Sequence, residues 1–329
     1  MKAKKLLINI GKTLILPVAC WLLFAILTGG KFATVNSFMS VLRTSVVPIL
    51  VAMSMSFGMN MGMLNFAAGA VVITSGIFAA NISSSLGWGV PGICLFCILF
   101  AVLISAINGG LYRVMRVPCL VLSLGFCMVV EAVPVFFYNS GTGAIKLTQA
   151  FLASSPWCFI VLGVMFVLFW YINSLTTFGA NMKAIGANID IANKAGINID
   201  RVKFLSYIIS GVFLGVTAIM YLSSTVKLVS IVGFSSVGMI MDGFMGIFVA
   251  SVFARYVDYS FAVVIGTITV RILGSGLVAC GLTSEMRGVL TGFFLFVILV
   301  YSANAALPDK LKREKKIRAE ALAAQAGQK

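Results

Sequence analysis

Histidine is absent from this 329-residue chain, and only nine residues are acidic. The first absence excludes a histidine-based catalytic triad and histidine metal ligands. The sequence also lacks the lysine-containing phosphate loop of ATPases, so it carries no nucleotide site of that type. Charged residues make up 10% of the chain, whereas a soluble domain has about a quarter. The protein therefore has too little polar surface to face water on all sides.

Hydrophobic residues dominate instead, at 60% of the chain, with a mean hydropathy of +1.09. A helix needs about 20 apolar residues to cross the hydrocarbon core. Ten segments qualify, centred near residues 21, 51, 72, 99, 128, 167, 214, 246, 270 and 296. We expect an all-α polytopic membrane protein of about ten transmembrane helices, because no strand-period pattern competes with these runs.

Seven cysteines lie in, beside or at the start of these apolar runs. The pair in "CLFC" at residues 94–97 has the spacing of some metal sites. Without histidine, and inside a predicted span, the two cysteines fit better as small apolar side chains. The sequence therefore predicts no metal site and no structural disulfide.

Residues 44–80 form one apolar run of 37 residues. A continuous helix of that length would reach about 55 Å, nearly two bilayer crossings. Gly58, Asn60, Gly62 and Asn65 provide a place to break it. We expect two spans here, while the sequence leaves open whether residues 58–70 form a turn or a re-entrant segment.

The basic residues indicate an orientation. With ten spans, eighteen of the 24 lysines and arginines fall on the side of both termini and five on the other side, with Arg271 inside a span. Basic residues favour the cytoplasmic side. The expected organisation is a transmembrane domain over 1–309 with both termini cytoplasmic, a cytoplasmic loop over 177–203, and a basic cytoplasmic tail over 310–329.

The loop over 177–203 is the most polar internal stretch, and it contains helix boundary signals. Asn188 can cap a helix of roughly 189–195, with Asp190 in its first turn and Lys194 in its last. Gly196 is a natural residue just beyond the helix end, and Asn198 can cap the next membrane helix. Such a short helix needs a surface to pack on. The residues alone fit a solvated connector and a docking helix equally well.

The segment "KAIGANIDIANKAGINIDRVKFLSYIISG" closely resembles the cytoplasmic loop of permease subunits of ABC importers, in the branch that carries ribose, galactose and related solutes. "RVPCLVLSLGF", "MDGFMGIFVAS" and "GMLNFAAGAVVITSGIFAA" resemble other segments of that family, the last also being similar to branched-chain amino-acid permeases. The resemblance implies that the loop holds the coupling helix, which docks on the ATPase. It assigns coupling to Ala184, Gly186, Asn188, Asp190, Ala192, Lys194, Gly196 and Ile197, and we expect the Ala192 side chain to project toward the partner.

Polar residues within the predicted spans are candidates for a solute route, because ionisable groups in a membrane are costly and mark function. Asp242 and Arg271 are also suited to pair with each other. Amide and hydroxyl groups both donate and accept, which suits a hydroxylated solute, although they equally suit contacts between helices. The route candidates are Asn60, Asn65, Asn108, Ser123, Glu131 and Asp242.

Together these observations favour a permease subunit of an ATP-driven importer for a small polar solute, most simply a sugar, in a bacterial cytoplasmic membrane. The resemblance implies a cytoplasmic ATP-binding subunit, a second permease subunit as homo- or heterodimer partner, and an extracytoplasmic solute-binding protein, besides the bilayer. No enzyme activity, metal, cofactor or nucleic-acid partner is expected of this chain, since ATP would bind the partner. The alternatives are a nucleoside, amino acid or signalling sugar as solute, or an ion-coupled secondary transporter.

Overall fold

The computed structural model describes residues 2–115, 117–138, 141–283, 286, 288–294, 296–297 and 300. The side chains of residues 2–10 and 12 lie outside this description. The predicted tail over 310–329 and much of the predicted tenth span also fall outside the described residues.

The described part of the chain is almost entirely helical, as predicted. Nine of the ten predicted span centres fall within its helices; two further helices, α7 and α8, lie in the polar loop. The helices are α1 (Lys2–Leu27), α2 (Val35–Met59), α3 (Ala68–Leu86), α4 (Gly89–Met115), α5 (Cys119–Phe137), α6 (Trp157–Trp170), α7 (Thr177–Ala187), α8 (Ile189–Lys194), α9 (Ile199–Thr225), α10 (Val237–Phe253) and α11 (Tyr259–Ala279).

Seven described helical segments are long and apolar enough to cross a membrane: α2, α3, α4, α5, α6 with the π-helical turn Tyr171–Leu175 that continues it, α9 and α11. Shorter apolar segments lie at 13–27, within α1, and in α10. The chain is therefore a multi-pass membrane protein. The count of ten spans and the side on which the termini lie stay predictions.

Helix α9 is the centre of the bundle, where it packs on α4, α2 and α3. Two glycines allow the close approach of α4. A Cβ on Gly211 would lie 2.9 Å from the Cα of Val102, and one on Gly215 would lie 2.6 Å from the Cα of Ile98. Both distances are shorter than real side chains tolerate, so the small residues set the helix spacing.

Two short strands, which the sequence did not predict, join distant connections of the chain. Strand β1 (Thr142–Ala144) pairs antiparallel with β2 (Lys227–Val229), with Gly143 opposite Leu228. The amide of Asn81, near the end of α3, donates to the carbonyl of Thr142 at 2.9 Å. The ribbon therefore ties the segment after α5 to the segment after α9.

Candidate coupling surface and transport route

The short helix α8 has the ends that the sequence predicts. The side-chain oxygen of Asn188 accepts from the backbone N–H of Asp190 at 2.9 Å and of Ile191 at 3.1 Å. Gly196 adopts φ +78°, a left-handed conformation. Its N–H donates to the carbonyl of Asn193, and the next N–H, of Ile197, donates to the carbonyl of Ala192. This pair of bonds is a Schellman motif, which ends the helix.

The start of α9 is also capped as predicted, because the Asn198 side chain accepts from the N–H of Arg201 at 3.0 Å. Helix α7 was not predicted. Its N-cap is Thr176, whose hydroxyl accepts from the N–H of Gly179 at 3.2 Å. The polar loop is therefore two consecutive capped helices rather than a connector containing one.

The orientation of α8 corrects one expectation. Ala192 does not project outward but is buried, with 2% of its surface exposed, in the main hydrophobic core. Because its side chain is only a methyl group, the short helix α8 can pack closely on the rest of the chain at this position. The outward-facing apolar side chains of α8 are Ile189, 48% exposed, and Ile191, 67% exposed. The predicted charges of Asp190 and Lys194 lie on the exposed surface beside them.

Helix α7 connects this surface to the membrane helices. Met182 and Ile185 are buried in the core. A Cβ on Gly186 would overlap the backbone carbonyl oxygen of Asn60, the residue that follows α2. Gly186 is thus required by a backbone-to-backbone contact. Ala184, another predicted coupling residue, is half-buried against the same core.

Residues 60–67 separate α2 from α3, and polar side chains of α4 and α5 hold this segment in place. The side-chain oxygen of Asn65 accepts from the N–H of Ala67 and from the side-chain amide of Asn108, both at 3.2 Å. The carbonyl of Leu64 accepts from the hydroxyl of Ser123 at 3.3 Å. Helices α2 and α3 make few contacts with each other and pack on α9. The segment is a break between two spans rather than a tight hairpin.

Three route candidates, Asn65, Asn108 and Ser123, therefore converge on this break. Several nearby buried polar atoms have no hydrogen-bond partner among the described residues: the Asn60 amide nitrogen, the Asn108 amide oxygen and the Ser105 hydroxyl. An unpartnered buried polar group costs about 1–3 kcal/mol. The region retains hydrogen-bonding capacity for a water molecule or a solute hydroxyl.

Glu131 lies elsewhere, in the middle of α5, with 1% of its surface exposed. Its carboxylate accepts from the N–H groups of Gly233 at 3.0 Å and of Phe234 and Ser236 at 2.9 Å, and from the Ser236 hydroxyl. These donors form the turn that starts α10. A carboxylate is favoured at a helix N-terminus by charge and by hydrogen bonding. In this arrangement Glu131 anchors α10, and its membership of a solute route stays a prediction.

The starts of α3 and α10 meet inside the protein. A Cβ on Gly69, in the first turn of α3, would overlap the carbonyl oxygen of Ser236. Thr74 of α3 donates to the carbonyl of Val130 at 2.9 Å, which holds α3 beside α5. Two helix N-termini and one carboxylate therefore share a small volume near the Glu131 side chain.

Asp242 of α10 and Arg271 of α11 form an ion pair. The sequence had suggested this pairing beside a role for Asp242 in a solute route. Nη1 of Arg271 donates to Oδ2 of Asp242 at 2.6 Å. The two side chains keep 27% and 19% of their surface exposed, Asp242 the more. Pairing does not exclude a role in a route. Among the described residues no three histidine, cysteine or carboxylate side chains lie close enough to hold a metal ion.

These features define a multi-pass membrane protein with a bundle of apolar helices, an internal break lined by polar groups, and a capped helix outside the bundle. Residues 37–299 match the family described as the branched-chain amino acid transport system permease component. The match covers most of the chain, so the chain belongs to this family.

Individual relatives have low sequence identity to this chain, but the similarity extends over most of their length. The probable ABC transporter permease protein YphD of Escherichia coli is 25% identical over 94% of this chain and 92% of its own length. The autoinducer 2 import system permease protein LsrC of Photorhabdus luminescens is 21% identical over 93% and 97%. The ribose import permease protein RbsC of Escherichia coli is 21% identical over 62% and 67%.

Proposed function

We propose that this chain is the membrane-spanning subunit of an ATP-driven importer for a sugar-type solute. The family match supports the role of a permease subunit, and relatives named for ribose, L-arabinose and fructose support the solute class. ATP hydrolysis would take place on a separate cytoplasmic subunit. A second permease subunit would complete the route, and an extracytoplasmic binding protein would deliver the solute.

The observation that carries the proposal is the exposed pair of isoleucines on α8. Ile189 and Ile191 are apolar side chains on a helix with capped ends, seated on the chain through Ala192. Both side chains lie among exposed polar and charged residues, and exposed apolar side chains within a polar surrounding are typical of a docking site. The capping bonds and the buried alanine fix the helix before any partner binds, and a preformed surface lowers the ordering cost of association.

The size of the contribution follows from the exposed area. Full burial of one such side chain is worth about 1.5–3 kcal/mol. With about half to two-thirds of each isoleucine exposed, burying both on docking contributes about 2–3 kcal/mol. Replacing both by serine should therefore raise the dissociation constant of the ATPase roughly 30- to 150-fold.

The test compares I189S/I191S with V114S in the full-length protein, reconstituted with its ATPase. Val114 is 79% exposed at the end of α4, on the same predicted side, and belongs to neither proposed site. The double variant should lose ATPase co-purification and solute-stimulated hydrolysis while keeping its thermal stability, and V114S should behave as wild type. Wild-type ATPase binding by I189S/I191S would contradict docking at α8.

The route is tested separately. Uptake of a sugar into vesicles should require ATP on the ATPase side and should stop when the ATPase is removed. Uptake that continues without any ATPase and responds to an ion gradient would replace the importer by a secondary transporter.

A further inference from the structure

The Asp242–Arg271 pair lies inside the apolar helices α10 and α11, away from the connection between them. Asp242 precedes the end of α10 by eleven residues, and Arg271 follows the start of α11 by twelve. At 1.5 Å per residue each lies about 17 Å from the connection between the two helices. The hydrocarbon core is about 30 Å thick. The pair therefore lies far from that connection, with Asp242 about 8 Å from the start of α10.

Its hydrogen bonding is incomplete. The described residues give the carboxylate one bond from the guanidinium, between Oδ2 and Nη1. A guanidinium has five N–H donors, and a carboxylate has several acceptor positions. The Nε of Arg271 is buried and has no hydrogen-bond partner within the part of the chain that the structure describes. A pair built only to join α10 and α11 would form two parallel bonds in the geometry that arginine and carboxylates favour.

Partial exposure excludes hydrocarbon as the neighbour. About a fifth to a quarter of each side chain is open in the single subunit. A single charged side chain at the centre of a membrane helix costs about 2.5–3.5 kcal/mol in insertion measurements. The open side must therefore face a polar route or another protein surface. One turn further along, α10 and α11 pack closely against each other, since a Cβ on Gly246 would lie 2.7 Å from the Cα of Thr267.

We propose that Asp242 and Arg271 together form a recognition point for a neutral polyhydroxylated solute passing through the membrane. The pair presents an acceptor and donors side by side, and a hydroxyl both accepts and donates. An anionic solute would meet the Asp242 carboxylate and a cationic one the Arg271 guanidinium. The paired charges therefore select for a neutral solute. This inference rests on the proposed transport function and adds to it Arg271 and a selection against charged solutes.

The experiment measures uptake by the full-length protein reconstituted with its partner subunits. The probes are radiolabelled D-galactose and D-ribose as neutral sugars, and D-galacturonate as an anion of matched shape. The variants are D242N, R271Q and the charge exchange D242R/R271D. M245L, one turn along α10 from Asp242, is the control and should match wild type in every measurement.

Wild type should take up the neutral sugars in preference to galacturonate. D242N should lower neutral-sugar uptake at least tenfold and lower the ratio of galactose uptake to galacturonate uptake, because the remaining charge is positive. R271Q should lower neutral-sugar uptake and raise that ratio, because the remaining charge is negative. The charge exchange should restore accumulation of the protein in the membrane and its stimulation of ATP hydrolysis. It should not restore sugar uptake, because the carboxylate and the guanidinium change places relative to the solute.

Restored uptake in D242R/R271D would overturn the proposal, because any opposite pair would then suffice as a structural tie. If these variants do not accumulate, D242E and R271K keep the charges and shift the atoms by about one bond length. A raised KM for the neutral sugars in either one supports the proposal, and wild-type KM values in both overturn it. Loss of ATP-dependent uptake in wild type would instead remove the transport function itself.

Discussion

Replacing Glu131 tests whether this buried carboxylate anchors α10 or belongs to the solute route. E131A removes the acceptor for three backbone N–H groups and a hydroxyl. A buried donor left without an acceptor costs about 1–3 kcal/mol. Three such donors give a loss of about 3–6 kcal/mol after partial rearrangement of the turn. E131Q keeps one acceptor oxygen but puts an NH₂ group against two donors, so we expect about 2–4 kcal/mol.

The measurement is thermal unfolding of the full-length protein in detergent, followed by fluorescence-detected size exclusion. For a chain of this size, 1 kcal/mol corresponds to roughly 2 °C, so E131A should unfold about 6–12 °C below wild type. E131Q should lie between them. The control is S123A, which removes one neutral donor to the carbonyl of Leu64 and should cost about 1 kcal/mol.

Two results would refute the reasoning. Wild-type unfolding temperatures in E131A and E131Q would show that the turn at 233–236 does not depend on the carboxylate. Unchanged stability combined with lost sugar uptake in E131Q would return Glu131 to the route, where charge matters and anchoring does not.

The remaining predictions concern the polar loop and the topology. G186A should lower the unfolding temperature and ATP-coupled uptake together, because its methyl group overlaps the Asn60 carbonyl; wild-type values would show that α7 is free to move away. A192W should release α8 from the core and expose it to protease, whereas retained protection with lost ATPase binding would restore the outward orientation first expected. A reporter after Lys329 should read cytoplasmic and one near Gly143 extracytoplasmic, and labelling of both from one side would remove the ten-span topology.

Features set by neighbouring residues could be predicted from the sequence. Asn188, Gly196 and Asn198 act on backbone groups within three residues of themselves, so their roles as helix caps were predictable. The break after α2 was predictable for a different reason, because a single helix of 37 apolar residues would be too long for the bilayer.

Features set by contacts between distant residues could not. The burial of Ala192 depends on which side of a single turn meets the core, and a six-residue helix has no periodicity to show it. Glu131 finds its partners about a hundred residues further along the chain. The sequence indicated Glu131 only because an acidic residue is unusual in an apolar run. Asp242 and Arg271 were visible as charges within spans, but one-dimensional spacing does not decide whether they meet.

The contact between Gly186 and Asn60 joins two backbones with no side chain between them. Side chains absorb small displacements by changing rotamer, but peptide groups in contact have no comparable freedom. A shift of α8 toward or away from a bound ATPase would therefore reach the segment between α2 and α3 nearly undiminished, because Gly186 lies only three residues before α8. The polar groups around that segment would change position in step with the ATPase, so one glycine sets how stiffly the cytoplasmic and membrane parts of the transporter move together.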